Sequence, residues 1–337
     1  MEHLETKTNR RRTELDVFRA ILIFMVVVGH SHFKYSDIIY WFHMPLFFIT
    51  SGYLNKKSDE DFHVFLANKT KRLMVPWLLY ACVLVIIPEV IMQKENLVGV
   101  FKSICVLLWG GRLSGGVYWY VQTLLLTYLL YYLIRKSKYC RYIIIVCYLL
   151  AISESILIYN GPFSVLKNIY LPWNIDVCLL TVVYFYIGQL IRCNESDLNR
   201  FKNKSVTILA CTITSALIGS VVLLNAKGIF SYNMDMKYVR YADFIFPILI
   251  PILFGIIIYT LSCLINKIKY VDVVFQLCGR ASMIIMFVHI PIRDWIMVPL
   301  FGQSYSIVLY LFLVCCIGLA IYVIAQKNSK AKMLFGV

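Results

Sequence analysis

The chain has 337 residues, 60% of them hydrophobic and 15% charged, with a mean hydropathy of +0.74. Soluble domains run about 45–50% apolar and about 25% charged, so an ordinary soluble enzyme, a disordered chain and a secreted disulfide scaffold are excluded. In a soluble protein the net charge of +15 would point to nucleic acid or an acidic partner; here the placement of the charges decides.

Apolar segments of roughly 17–25 residues are long enough to cross a bilayer. Ten occur in chain order, over 15–33, 38–54, 74–93, 117–135, 142–159, 175–191, 206–225, 243–265, 280–299 and 304–325. The pattern predicts an all-α integral membrane protein, a bundle of about ten transmembrane helices. A basic tail covers 1–14, the membrane domain 15–325 and a second tail 326–337. Val98–Trp109 is apolar but too short to span and reads as interfacial or re-entrant. Connections on the side of the two termini hold 23 of the 33 Lys and Arg. The opposite connections hold nine: Lys34, Lys94, Lys102, Arg112, Lys167, Lys227, Lys237, Arg240 and Arg293, with Arg19 inside the first span. By the positive-inside rule both termini are cytoplasmic, and a bacterial cytoplasmic membrane is the expected location. Arg10-Arg11-Arg12 before an apolar run is superficially like a signal peptide. The run carries Asp16 and Arg19, lacks a small-residue cleavage site and leads into another span, so it reads as a retained helix. No further soluble domain is expected after Tyr322. The eleven cysteines show no C-x-x-C and no zinc-like spacing with histidine, and most read as small hydrophobes within spans.

Ionisable groups inside a membrane are costly and therefore functional candidates. Arg19 and His30 are eleven residues apart in the first span; at 100° per residue they share a helix face, roughly 16 Å apart along the axis. The bland alternative is a snorkelling arginine and a histidine at a helix end. The second span, Tyr40-Trp41-Phe42-His43-Met44-Pro45, follows a short turn, which predicts an antiparallel hairpin with His30 and His43 at similar depth. Two imidazoles there suit general-base or proton-relay work. A metal would need a third ligand, and only His32 is near in sequence, so no metal is expected. Lys69-Thr70-Lys71-Arg72 before the third span is either topological charge or a phosphate-binding rim. Trp119-Tyr120 can serve as belt anchors or ligand contacts. Asp176 follows Leu171-Pro172-Trp173-Asn174, Asp243 opens the eighth span, and His289 lies near the outer end of the ninth. If the outer ends converge, His30, His43, Asp176 and His289 would share a cavity.

These residues resemble the acyltransferase 3 family of integral-membrane O-acyltransferases, in particular its fucose 4-O-acetylase-like and polysaccharide O-acetyltransferase branch. The matching features are Leu15-Asp16 and Arg19 with His30 eleven residues on; Phe42-His43-Met44-Pro45-Leu46-Phe47-Phe48 running to Ser51-Gly52-Tyr53-Leu54; Lys69, Arg72 and Pro76; Trp119-Tyr120; Trp173, Asp176 and Gly188; and Gly279, Ser282 and His289. The resemblance implies a ten-helix bundle that takes acetyl-CoA or a related acyl donor, with Arg19 and His30 as the family's essential pair. On this reading the coenzyme head group docks on Arg72, Lys69 and Arg19, and His30 is the general base, oriented by Asp176 or His43. Trp119, Tyr120, Trp173 and His289 are expected acceptor contacts. The expected partners are an acyl-CoA, a carbohydrate acceptor and the lipid bilayer, not nucleic acid; oligomeric state is open. Larger relatives fuse an extracellular esterase-like domain, which is not expected here, so the acyl group goes directly to the acceptor or to a separate partner. The competing class is a transporter or flippase of an envelope precursor, although no paired repeat is visible.

Overall fold

The computed structural model describes residues 12–56, 60–92, 97–112, 116–159, 161–195, 204–241 and 243–337. Lys7, Arg10, Arg11, Lys57, Lys94, Arg200 and Lys202 of the charge pattern lie outside the described residues. Helix α1 (Thr13–Gly29) carries Glu14 and Asp16 in its first turn, where carboxylates favour the helix N-terminus. Its far end is closed by hydrogen bonds to the last carbonyls: Ser31 Oγ donates to Val28 O (2.6 Å), Tyr40 to Gly29 O (2.7 Å) and Arg293 to His30 O (2.8 Å). The short α2 (Ser36–Tyr40) then turns the chain into α3 (His43–Leu54). Helices α1 and α3 thus form the hairpin that the sequence predicts.

Helix α4 (Phe62–Ala81) continues through a π-helical turn, Cys82–Ile86, into α5 (Ile87–Met92). It starts twelve residues before the predicted span, because Lys69, Lys71 and Arg72 lower hydropathy without lowering helix propensity. The apolar stretch before Trp109 is α6 (Leu97–Trp109), followed by α7 (Tyr118–Ile134), α8 (Cys140–Tyr159), α9 (Ile175–Cys193) and α10 (Lys204–Ala226). Next come α11 (Phe246–Ile265), α12 (Val271–Arg280), α13 (Ser282–Ile292), α14 (Val298–Phe301), α15 (Ile307–Gln326) and α16 (Ser329–Phe335). The amphipathic α12 is absent from the hydropathy pattern because it is ten residues long.

Among the described residues seven helices are long and apolar enough to cross a membrane: Phe62–Ile91, Cys140–Tyr159, Pro172–Cys193, Ser205–Ala226, Phe246–Ile265, Ser282–Phe301 and Ile307–Gln326. The other three predicted spans are helical but shorter, at 17 residues for α1, 17 for α7 and 12 for α3. Each has much of its surface buried against other helices, so protein surrounds them where lipid surrounds α10, whose Ile208, Leu209 and Leu223 are exposed.

The inner helices meet closely. A Cβ at Gly52 of α3 would lie 2.0 Å from Phe185 O of α9, and one at Gly188 of α9 would lie 2.0 Å from Ile49 O of α3. Small residues at such a crossing let two backbones touch, which substitutes for a hydrophobic drive that lipid cannot supply. Thr127 of α7 and Thr181 of α9 share a buried 2.6 Å hydrogen bond, and Trp77 of α4 donates to Tyr118 O of α7 (3.1 Å). Tyr310 of α15 donates to His289 O of α13 (2.8 Å). These contacts, with the Arg19–Ser282 hydrogen bond that ties α1 to α13, hold α1, α3, α4, α7 and α13 around a common interior.

Candidate active site

That interior holds a cavity of about 470 Å³, within the size range of ligand pockets. Arg19 and His30 both line it, as their shared face on α1 requires. At the end near Arg19 the walls include Lys69 and Arg72 of α4 and Ser282 of α13. Arg19 donates to Ser282 Oγ (2.7 Å). Lys69 Nζ donates to Asn55 Oδ1 (3.1 Å) and stands 3.9 Å from the Tyr128 ring centroid. Pro76 inside α4 has no N–H, so the carbonyl of Arg72 is left without its helical donor. Three cations thus gather at one end of the cavity, where like charges would suit a polyanion.

At the other end stand His30, Tyr40 and His43. His43 Nδ1 pairs with Ile39 O at 2.6 Å; a carbonyl only accepts, so Nδ1 carries the proton and Nε2 the lone pair. His289 lies behind His30, its ring centroid 5.1 Å away, and is fully buried. Its Nδ1 pairs with Ile285 O (3.2 Å), which gives it the same tautomer, and its Nε2 is buried without a hydrogen-bond partner. An unsatisfied buried nitrogen costs about 1–3 kcal/mol, so the position calls for a functional explanation.

The walls of this end are completed by Asp235, Met236, Lys237 and Tyr238, which lie between α10 and α11. Here the chain folds back on itself: Asp235 and Arg240 exchange backbone hydrogen bonds of 2.8 and 3.0 Å, and Val239 adopts φ +57°. Tyr232, Met234, Met236 and Tyr241 are buried. Asp235 Oδ1 accepts from the Lys237 backbone N–H (3.0 Å). Burial raises the Asp235 carboxyl above its ordinary pKa and lowers the Lys237 ammonium below its own.

A family model described as an acyltransferase domain matches residues 12–326, which is nearly the whole bundle and includes every wall of the cavity but Gly336. The chain belongs to the acyltransferase 3 family. No curated protein and no solved structure matches it. As an acyltransferase 3 protein it is an acyl-transferring membrane enzyme, and the cavity is where its cationic and imidazole groups meet.

Of the residues that carry the acyltransferase 3 resemblance, Arg19, His30, His43, Lys69, Arg72, Trp119, Tyr120 and Ser282 line the cavity. Asp176, Trp173 and His289 do not. Asp176 is held by Arg112 at 2.6 Å, with both side chains almost fully buried. The placement has a plain cause: Asp176 sits at the start of α9, where Asn174 (φ +60°) kinks the chain toward Gly110–Arg112, and a buried carboxylate takes the nearest cation. His289 reaches the cavity only through His30. Among the described residues no group of three His, Cys, Asp or Glu is placed to hold a metal ion. Sequence reasoning missed the Asp235–Tyr238 wall. The signal was present: Phe230, Tyr232, Met234 and Met236 alternate with Ser231, Asn233 and Asp235, a period-two pattern of a half-buried extended segment.

Proposed function

We propose that this enzyme moves an acetyl or related acyl group from an acyl-CoA to a hydroxyl of a sugar, in a cell-envelope or exported polysaccharide or its precursor. The observation that carries the reading is the single cavity that joins Lys69, Arg72 and Arg19 at one end to His30 at the other. The coenzyme's phosphates suit the cationic end, which the charge pattern of the sequence puts on the cytoplasmic side. The thin pantetheine arm then follows the α1 face for roughly 16 Å and brings the thioester to His30.

At that point the acceptor oxygen attacks the thioester carbonyl while His30 takes the hydroxyl proton. The C–O bond forms, the C–S bond breaks, and the leaving thiolate recovers the proton from His30. Neutral imidazole takes the first proton and the imidazolium so formed returns it, which suits general acid–base work near pH 7. With Asp176 committed to Arg112, we assign the orienting role to His289. No hydrogen bond joins the two rings in the structure, but with their centroids 5.1 Å apart a small rotation of the imidazoles would form one of about 3 Å. A His30 N–H directed at the bare His289 Nε2 leaves the other His30 nitrogen unprotonated and facing the cavity. Arg19, fixed by Ser282, holds the donor. Trp119 and Tyr120 are aromatic walls that exclude water.

Purified protein in nanodiscs, given radiolabelled acetyl-CoA and a polysaccharide acceptor, should release coenzyme A and form a base-labile labelled ester. His30→Ala should lower transfer by about 10²–10⁴-fold. Acceptor binding or movement without thioester cleavage would instead support a transporter.

A further inference from the structure

Lys237 and Tyr238 belong to the cavity wall near His30, and beyond them lies a surface of rings and cations. Tyr238 meets Tyr170 with centroids 6.3 Å apart, and its carbonyl accepts from the Tyr159 hydroxyl at 2.6 Å. Four cations stand around these three rings. Arg112 lies 5.5 Å from the Tyr170 centroid, Lys167 and Arg240 lie 4.9 and 4.8 Å from that of Tyr159, and Lys237 lies 5.5 Å from that of Tyr238. Asp176 answers the charge of Arg112. Among the described residues no carboxylate ion-pairs with Lys167, Lys237 or Arg240. Asp235, on the same loop, has one carboxylate oxygen engaged by the backbone and feels the charges of Lys237 and Arg240, but burial outweighs them and disfavours its charged form.

These cations run against the charge rule. They lie in the basic-poor set of connections, which holds nine of the 33 Lys and Arg, yet four of the nine gather at one rim. Orientation of the chain in the membrane does not account for that. An anionic occupant does, because guanidinium and ammonium groups meet carboxylate or phosphate oxygens while tyrosine offers a flat apolar face with a polar tip.

We infer that this rim is the acceptor subsite for an anionic glycan, one whose sugars bear carboxylate or phosphate groups, with Lys167, Lys237 and Arg240 on the anions and the tyrosines against the sugar faces. The inference rests on the reading of the His30 end as the acceptor side.

The test uses the wild-type protein in phosphatidylcholine nanodiscs and three fluorescent oligosaccharides of equal length: oligoglucuronate, phosphorylated dextran and plain dextran. One or both anionic glycans should bind at least tenfold more tightly than dextran, and which one binds separates carboxylate from phosphate. The preference should shrink as salt rises from about 0.05 to about 0.3 M, since exposed charges are screened. The triple variant Lys167→Gln/Lys237→Gln/Arg240→Gln should lose it, and the wild-type salt dependence probes the same charges without any variant having to fold. Equal binding of dextran, no binding of either anionic glycan, or a preference indifferent to salt would overturn the inference. Coenzyme A release by the wild type is followed in the same preparation. Failed glycan preference with release intact removes only the acceptor class, whereas absent release removes the acyl-transfer reading beneath it.

Discussion

Arg19 and His30 stand at opposite ends of one helix face, and the roles proposed for them depend on the side chains behind them. His289 is the sharper case. Its Nδ1 is bound to Ile285 O and its Nε2 has no partner, so two amide substitutions separate its two nitrogens. His289→Asn keeps a polar group near Nδ1 and removes the acceptor at Nε2, while His289→Gln places a carbonyl oxygen near Nε2. The Asn variant should lose about 10- to 100-fold in kcat with the donor KM unchanged, the range expected when the hydrogen bond of about 1.5–3 kcal/mol proposed to form to charged His30 during transfer can no longer form. The Gln variant should stay within a few-fold of wild type. Equal losses in both would mean that His289 only fills space. Arg19→Ala should raise the donor KM about tenfold or more, because a charge-assisted contact to phosphate is removed; titration of coenzyme A release against donor concentration measures it. The Arg19–His30 pairing was legible in the sequence because helix geometry alone puts residues eleven apart on one face. The roles of His289 and Asp176 were not, since burial behind a neighbour and the choice of a salt-bridge partner depend on which helices touch.

Between elements, the crossing of α3 and α9 depends on glycine. With a Cβ at Gly188 only 2.0 Å from Ile49 O, Gly188→Val forces the helices apart. It should destabilise the bundle by at least the roughly 1–3 kcal/mol of an overpacked core, visible as a lower melting temperature in detergent. The Arg112–Asp176 pair ties the start of α9 to the segment before α7 and is 3% and 4% exposed. Asp176→Asn leaves the guanidinium buried and uncompensated, a loss of about 3–5 kcal/mol, and Arg112→Met/Asp176→Leu should recover most of it. In both cases activity should fall with the folded fraction and not with kcat per folded molecule. Long apolar helices such as α11 and α15 were readable from hydropathy. The earlier start of α4 and the ten-residue α12 were not, because charge and amphipathicity hide a helix from a hydropathy window while leaving its backbone preference intact.

For the whole molecule, the arrangement joins a cationic end and an imidazole end through one cavity. The cytoplasmic placement proposed for the cationic end rests on the sequence alone, with 23 of 33 basic residues on one set of connections. The fold added the place of the alternating 230–236 segment, whose Asp235–Tyr238 end closes the His30 end of the same cavity. Sided proteoliposomes test acyl transfer through this passage most directly. With the orientation of the protein fixed, labelled acetyl-CoA is supplied only at the face holding Lys69 and Arg72, and an impermeant glycan acceptor only at the face holding Lys237. Labelled ester should form on the glycan, coenzyme A should stay on the donor side, and His30→Ala should abolish both products. Ester formation only when donor and acceptor share one face, or glycan movement with the thioester intact, would contradict it.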